Sequence, residues 1–259
     1  EERALAILFS DIRGFTTFSE DLNSQVIVES LNQYFGRMVD VIMKNEGVVD
    51  KYIGDAIMAI FGAPLVDEDS AYHAVQSAFG MMEQLTEFNQ WQQDRGRQGF
   101  KIGIGVDYGR VTVGNIGSEQ KMDYTVIGDR VNLASRLEGL TKTYREPILI
   151  SESVRRHLKN RVPCRMVDRV QVAGRTRGVA IYSIRRSLSD SEERAWKLHH
   201  RGMQYYYNRE FDQALRHFST VQKLLPNDPI TELFVDRASV FSRTPPPPEW
   251  TGVVTFSAK

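Results

Sequence analysis

The chain has almost no cysteine. Cys164 is alone among 259 residues, so no internal disulfide can form, and no Cys/His spacing marks a zinc site. Net charge is also missing: 33 Lys and Arg balance 33 Asp and Glu. A strongly basic face for nucleic acid is therefore not expected. No apolar run approaches the roughly 20 residues of a membrane span. The five histidines show no ligand spacing and read as surface or packing residues. What remains is an ordinary globular composition, 41% hydrophobic and 25% charged, with length for one or two domains.

The pattern along the chain is that of a mixed α/β domain. Residues 4–9 are a continuous apolar run and predict a buried strand. Residues 15–43 have helical periodicity, with Val26, Leu31, Tyr34, Phe35, Met38 and Ile42 on one stripe. Residues 48–53 and 56–61 predict a hairpin about Gly54-Asp55. A long helix is expected from Ser70 to about Gln93, after the acidic residues 67–69. Residues 101–106 and 110–114 predict a second hairpin, turning at Asp107-Tyr108-Gly109, with Gly103 and Gly105 as hairpin glycines. A short strand at 124–127, helices at 129–140 and 151–158, and strands at 148–150, 165–172 and 180–184 follow. Alternating strands and helices with hairpins among them predict a mixed sheet with helices packed against it.

Residues 186–193 are polar and read as a linker, giving domains at 1–186 and 187–259. Beyond the linker, Gly202, Tyr205, Ala214, Phe218 and Pro226 fall at the spacing of one tetratricopeptide repeat. A single repeat cannot bury both faces, so this small helical tail is expected to pack on something. Trp250 and Val253-Val254 are expected to tie the end of the chain down.

Two aspartates occupy matched settings. Asp11 follows an apolar run and precedes Ile12-Arg13-Gly14-Phe15-Thr16; Asp55 sits at the hairpin tip beside Gly54. Two hard carboxylates on turns, with glycines that let a large anion approach the backbone, suit two Mg²⁺ or Mn²⁺ ions against a triphosphate. Farther on, Asn132 and Arg136 are four apart and share one helix face, while Leu133, Leu137 and Leu140 mark a core-facing stripe. An amide beside a guanidinium can orient a ribose and stabilise a phosphorane.

The stretches 9–16 (FSDIRGFT), 50–56 (DKYIGDA), 109–114 (GRVTVG) and 124–136 (YTVIGDRVNLASR) together resemble the catalytic domain of class III nucleotidyl cyclases, over residues 4 to 184. The resemblance implies a ferredoxin-like α/β fold. It implies a homodimer with active sites at the interface. Asp11, Asp55 and the carbonyl of Ile12 would hold two divalent cations. Residues 12–16, with Gly14, Phe15 and Thr16, would form the phosphate-binding turn, and Arg110 would contact the polyphosphate from the same protomer. Lys51 and Thr125 would select the purine, and Asn132 and Arg136 would act on ribose and transition state, from the other protomer.

Lys51 points to ATP: a lysine donates to adenine N1 but clashes with the N1–H of guanine. Thr125 can accept from the adenine amino group or donate through its hydroxyl; many adenylyl cyclases have Asp there, and Thr resembles a subgroup that includes bicarbonate-responsive enzymes. One departure concerns a second phosphate-binding lysine of the family. Ala173 stands at its position, with Arg175 and Arg177 nearby as substitutes. The expected activity is conversion of ATP to 3′,5′-cyclic AMP and pyrophosphate. A guanylyl cyclase, or a catalytically silent regulatory or scaffold module, is the alternative. The catalytic region is expected in the cytoplasm, without nucleic acid or membrane contact of its own. The chain opens at Glu1 without Met or signal peptide, and an upstream sensor or membrane region is expected in the full-length protein.

Overall fold

A computed structural model describes residues 1–20, 23–172 and 178–256. The chain forms two compact units, Glu1–Lys142 with Glu146–Leu158, and Thr143–Arg145 with Lys159–Lys259. Each unit is a mixed sheet with flanking helices.

The first unit runs β1 (Glu2–Ile12), α1 (Phe15–Glu20), α2 (Ser24–Lys44), β2 (Gly47–Ile53), β3 (Ala56–Phe61), α3 (Ser70–Gln93), β4 (Ile102–Ser118), β5 (Lys121–Ile127), α4 (Asp129–Tyr144), β6 (Ile148–Ser151) and α5 (Glu152–His157). Its strands lie in the order β2-β3-β1-β4-β6, with β5 on β4. β1 is antiparallel to both neighbours, whereas β4 and β6 are parallel. Leu5, Ala6, Ile7 and Leu8 are fully buried, as their unbroken apolar run requires of a central strand.

The expected long helix is divided. α1 ends at Glu20, and Asn23 caps α2, its side chain accepting from the backbone N–H of Gln25. Ser30, Tyr34, Met38 and Ile42, four apart, then form the buried stripe of α2.

The expected second hairpin is absent, and β4 is one strand of 17 residues. The Asp107-Tyr108-Gly109 signal is used for packing. Asp107 is buried, accepts from the Ser151 hydroxyl at 2.5 Å, and pairs with Arg130 at 3.4 Å. Gly109 lies against Arg130, whose Nε would be 2.5 Å from any added Cβ. Gly103 and Gly105 are likewise not hairpin glycines. A Cβ on Gly105 would lie 2.2 Å from the Glu138 backbone nitrogen, so this strand is bare where α4 crosses it.

The second unit contains β7 (Cys164–Val172), β8 (Val179–Ile184), α6 (Asp190–Tyr207), α7 (Phe211–Leu224), α8 (Pro229–Arg243) and β9 (Val254–Phe256). β7 pairs antiparallel with β8 and parallel with β9. A Ser189–Glu192 capping box opens α6. Gly202 lets α6 approach the Phe218 ring of α7. The helical tail packs on β7 through polar contacts. The fully buried Asp168 accepts from Tyr144 at 2.7 Å, Arg237 at 2.7 Å and Tyr207 at 3.1 Å. Arg165 pairs with Asp228 at 2.8 Å. His199, which read as a surface or packing residue, is fully buried, and its Nε2 donates to the carbonyl of Met166 at 2.8 Å. Burial, then the Arg165 charge, pushes its pKa down to about 3, so the ring is neutral. Trp250 packs edge-on against Tyr206, Phe211 and Phe241.

Candidate active site

β1 carries Asp11 to its exit from the sheet. Ser10 pairs with Ile57 on one side, and Asp11 with Gly103 on the other. The β2–β3 hairpin closes with Ile53 opposite Ala56, and Gly54 takes the left-handed conformation, φ 64°, that the tight tip needs. This brings Asp55 to Asp11. Burial, then the charge of Asp55 and a side-chain hydrogen bond with it, pushes the Asp11 pKa up to about 6, against the lowering effect of the Ile12 backbone N–H.

A third carboxylate bears on this pair. Glu138, on α4, is pushed up to about 7 by burial and then by Asp11, with Arg13 opposing and Asp55 adding. Its Oε1 lies where a Cβ on Gly103 would come within 2.6 Å. The Arg13 guanidinium is in turn pulled down by burial and held up by Glu138. Sequence reasoning missed Glu138. Its place shows only in three dimensions, where Ala134, Glu138 and Thr141 share a helix face that meets bare glycines on β4.

The turn after Asp11 is anchored from both ends. The Arg13 backbone N–H donates to Lys101 at 2.7 Å, and its Nη2 donates to the Glu146 carbonyl at 3.2 Å. Gly14 has φ 69° with open space around it, and its carbonyl accepts from Phe18. Gly14 and Thr16 are exposed and Phe15 is half-buried. A cleft of about 560 Å³ opens here, lined by Ile12, Arg13, Gly14, Phe18 and Phe100 among others.

Lys51 and Thr125 come together on a shared neighbour. Thr125 Oγ1 donates to Asp50 Oδ2 at 2.9 Å, and Lys51 Nζ lies 3.3 Å from the same oxygen. Asn132 and Arg136 occupy the outer side of α4, exposed and half-buried, while Leu133, Ala134 and Leu137 face the core. Arg110 is not brought to the aspartates. It pairs with Ala4, seven positions along β1 from Asp11, roughly 23 Å at the rise of a strand. Its side chain is exposed, with Glu2 at 3.9 Å. It lies just before the stretch of β4, from Thr112 onward, that pairs with β5. The lysine-replacing candidates Ala173, Arg175 and Arg177 lie outside the described residues.

Among the described residues no group of three or more His, Cys, Asp or Glu could hold a metal. The donor set nevertheless fits Mg²⁺ or Mn²⁺. Asp11 and Asp55 are hard oxygen donors pressed together, with a charge conflict that a cation would relieve. One or two carboxylates, completed by phosphate oxygens and water, suffice for Mg²⁺. The described residues include no helix long and apolar enough to cross a membrane.

The family model described as "Adenylate and Guanylate cyclase catalytic domain" matches residues 1–186. An adenylate cyclase of Anabaena cylindrica is 40% identical over 190 residues, covering 71% of this chain and 37% of that protein. The chain thus spans little more than a third of that relative's length. Among solved structures, the adenylyl cyclase CyaB from P. aeruginosa is 36% identical with a TM-score of 0.69, covering 73% of this chain and 97% of that one. The guanylyl cyclase Cya2 is 40% identical with a TM-score of 0.65, covering 71% and 92%. Similarity this even leaves the purine to be decided by individual side chains. By its residues 1–186, the chain belongs to the family of adenylate and guanylate cyclase catalytic domains.

Proposed function

We propose that the chain is an adenylyl cyclase, of the subgroup with Thr at the second base-selecting position, acting as a homodimer with sites shared between two copies. The observation that carries the reading is the Asp11–Asp55 pair beside an open, glycine-hinged turn. Asp11, Asp55 and the Ile12 carbonyl would hold two divalent cations. Bound there, these would acidify the ribose 3′-hydroxyl and offset triphosphate charge. Gly14, Phe15 and Thr16 would cradle the phosphates with backbone N–H groups. The 3′-oxygen attacks the α-phosphorus in line. The bond to the β-phosphate oxygen breaks, pyrophosphate leaves, and the hydroxyl proton passes to water or a substrate phosphate. Asn132 orients the ribose, and Arg136 stabilises charge on the α-phosphoryl oxygens.

Lys51 favours ATP over GTP, for the N1 reason given above. Asn132 and Arg136 stand on the outer side of α4, away from the core-facing Leu133, Ala134 and Leu137, which suits a site completed by a second copy. Tyr52 and Ile53 near the β2–β3 tip, and Met122, Tyr124 and Ile127 on β5, are large apolar side chains left 44–60% exposed. Such surface suits a partner protomer. Arg110 lies opposite Ala4, far along β1 from Asp11, which favours a polyphosphate contact from the protomer that supplies Lys51 and Thr125. The helical tail, which we read as tetratricopeptide-like, completes the second unit and does no chemistry. With ATP as its substrate, the catalytic region would work in the cytoplasm.

The test is turnover of ATP and GTP in Mg²⁺ and Mn²⁺, with cyclic product measured. Cyclic AMP from ATP, at several-fold higher kcat/KM than cyclic GMP from GTP, is expected. Preference for GTP would make the protein a guanylyl cyclase, and no product from either, in folded dimeric protein, would make it a silent module.

A further inference from the structure

Asp50 is the residue that Lys51 and Thr125 share. Its side chain is fully buried although its neighbour Lys51 is 40% exposed. One oxygen, Oδ2, takes both Thr125 Oγ1 at 2.9 Å and Lys51 Nζ at 3.3 Å. The other, Oδ1, is buried with no hydrogen-bond partner among the described residues. A buried carboxylate oxygen left unpaired is costly and calls for an explanation.

Local backbone geometry puts Asp50 there. Along β2, Val49 pairs with Ala59 and Lys51 with Met58, so Asp50 is the extra residue of a β-bulge. In a regular strand, consecutive side chains point to opposite faces. The bulge re-aims Asp50, so that its carboxylate and the Lys51 ammonium meet on one side.

We infer that Asp50 is a positioning residue that sets purine selectivity by fixing the hydrogen-bond polarity of Thr125 and Lys51; this rests on the reading of those two as the base selectors. A threonine hydroxyl has one proton and two lone pairs. The Thr125 hydroxyl donates to Asp50 Oδ2, so its one proton is committed there. The hydroxyl then offers the purine edge lone pairs alone. Adenine presents its exocyclic N–H₂ there and is matched. Guanine presents its O6 acceptor, and lone pair faces lone pair. Lys51 spends one of its three N–H groups on Asp50, which leaves the others for N1, an acceptor in adenine and an N–H donor in guanine. One buried carboxylate thus makes both selectors read the same base.

The experiment is Asp50→Asn, compared with Thr125→Val and Thr125→Ser, with kcat/KM measured for ATP and GTP and folding followed by melting temperature. The Asn amide can donate to Thr125 Oγ1 and release its proton towards the base. The ATP:GTP ratio is expected to fall about ten- to a hundredfold, the worth of one matched against one mismatched polar group. Thr125→Val should also lower the ratio, and Thr125→Ser, which keeps the donated proton, should retain it. If Thr125→Val shifts the ratio but a folded Asp50→Asn does not, or slows both nucleotides equally, the role of Asp50 is overturned while the selector reading stands. If neither shifts it, both fall. Should Asp50→Asn fail to fold, the Thr125 variants decide: equal ratios for Ser and Val would overturn the inference.

Discussion

Asp11→Asn should make the metal-free protein more stable while abolishing its activity. In the native chain the Asp11 carboxyl titrates at about 6 rather than 3.8, because burial and Asp55 oppose its charge. A shift of about 2 units corresponds to ~3 kcal/mol. Asp11 is half-exposed, so solvent screening reduces this to ~1.5 kcal/mol. A carboxyl whose folded pKa is raised binds more protons folded than unfolded. Its favourable contribution is therefore whole below pH 3.8 and is lost as pH rises through about 6. At pH 7.5 the wild type bears the full penalty and the Asn variant none.

In chelator at pH 7.5, scanning calorimetry should show Asp11→Asn melting roughly 3–6 °C above wild type, from ~1.5 kcal/mol at the sensitivity of a chain this size. At pH 5 the gap should shrink, because the wild-type carboxyl is then largely protonated. Mn²⁺ should raise the wild-type melting temperature more at pH 7.5 than at pH 5, since the cation competes with the proton, and should do little to the variant. An Asp11→Asn protein that melts at or below wild type in chelator at pH 7.5, or a gap that does not narrow at pH 5, would refute the claim that Asp11 and Asp55 form a strained anionic pair.

Asp55→Ala and Arg136→Ala homodimers should each be nearly inactive, and mixing them should restore turnover through heterodimers with one intact site. Failure to restore it, with subunit exchange verified by native mass spectrometry, would place each site within one chain. Arg237→Ala leaves the buried Asp168 carboxylate without its Arg237 cationic partner and should destabilise the protein by ~3 kcal/mol in urea titration. Below its melting temperature the same variant should still turn over ATP, because Arg237 sits in the tail, and loss of activity in the folded state would give the tail a catalytic role.

Much of the fold was legible because burial wrote itself into the sequence. The apolar run of β1 and the Tyr34, Met38 and Ile42 part of the α2 stripe are local consequences of where each element packs. The missing second hairpin has a different cause. Asp107-Tyr108-Gly109 has the composition of a turn, yet Asp107 is held by Ser151 and Arg130, and Gly109 makes room for Arg130. Polar and glycine residues serve equally well to bend a chain and to let another element approach. Which use applies depends on partners 44 and 23 residues away, and no local window contains them.

The same limit separates the two halves of the candidate site. Asp11 and Asp55 were legible because each stands at a strand end with a glycine beside it or three residues on, a setting that one short stretch of sequence displays. Glu138 and Asp50 were not, because each gains its meaning from a different element: Glu138 from the bare glycines of β4 and the charges beside Asp11, Asp50 from the β2 bulge and a hydroxyl 75 residues away. Both are buried or partly buried carboxylates in contact with, or electrostatically coupled to, residues the sequence does reveal. Motifs name the groups that touch substrate, and packing supplies the charges that decide their protonation and polarity. On this argument, the purine preference of relatives sharing Lys51 and Thr125 should also depend on whether an acceptor-only group stands where Asp50 does.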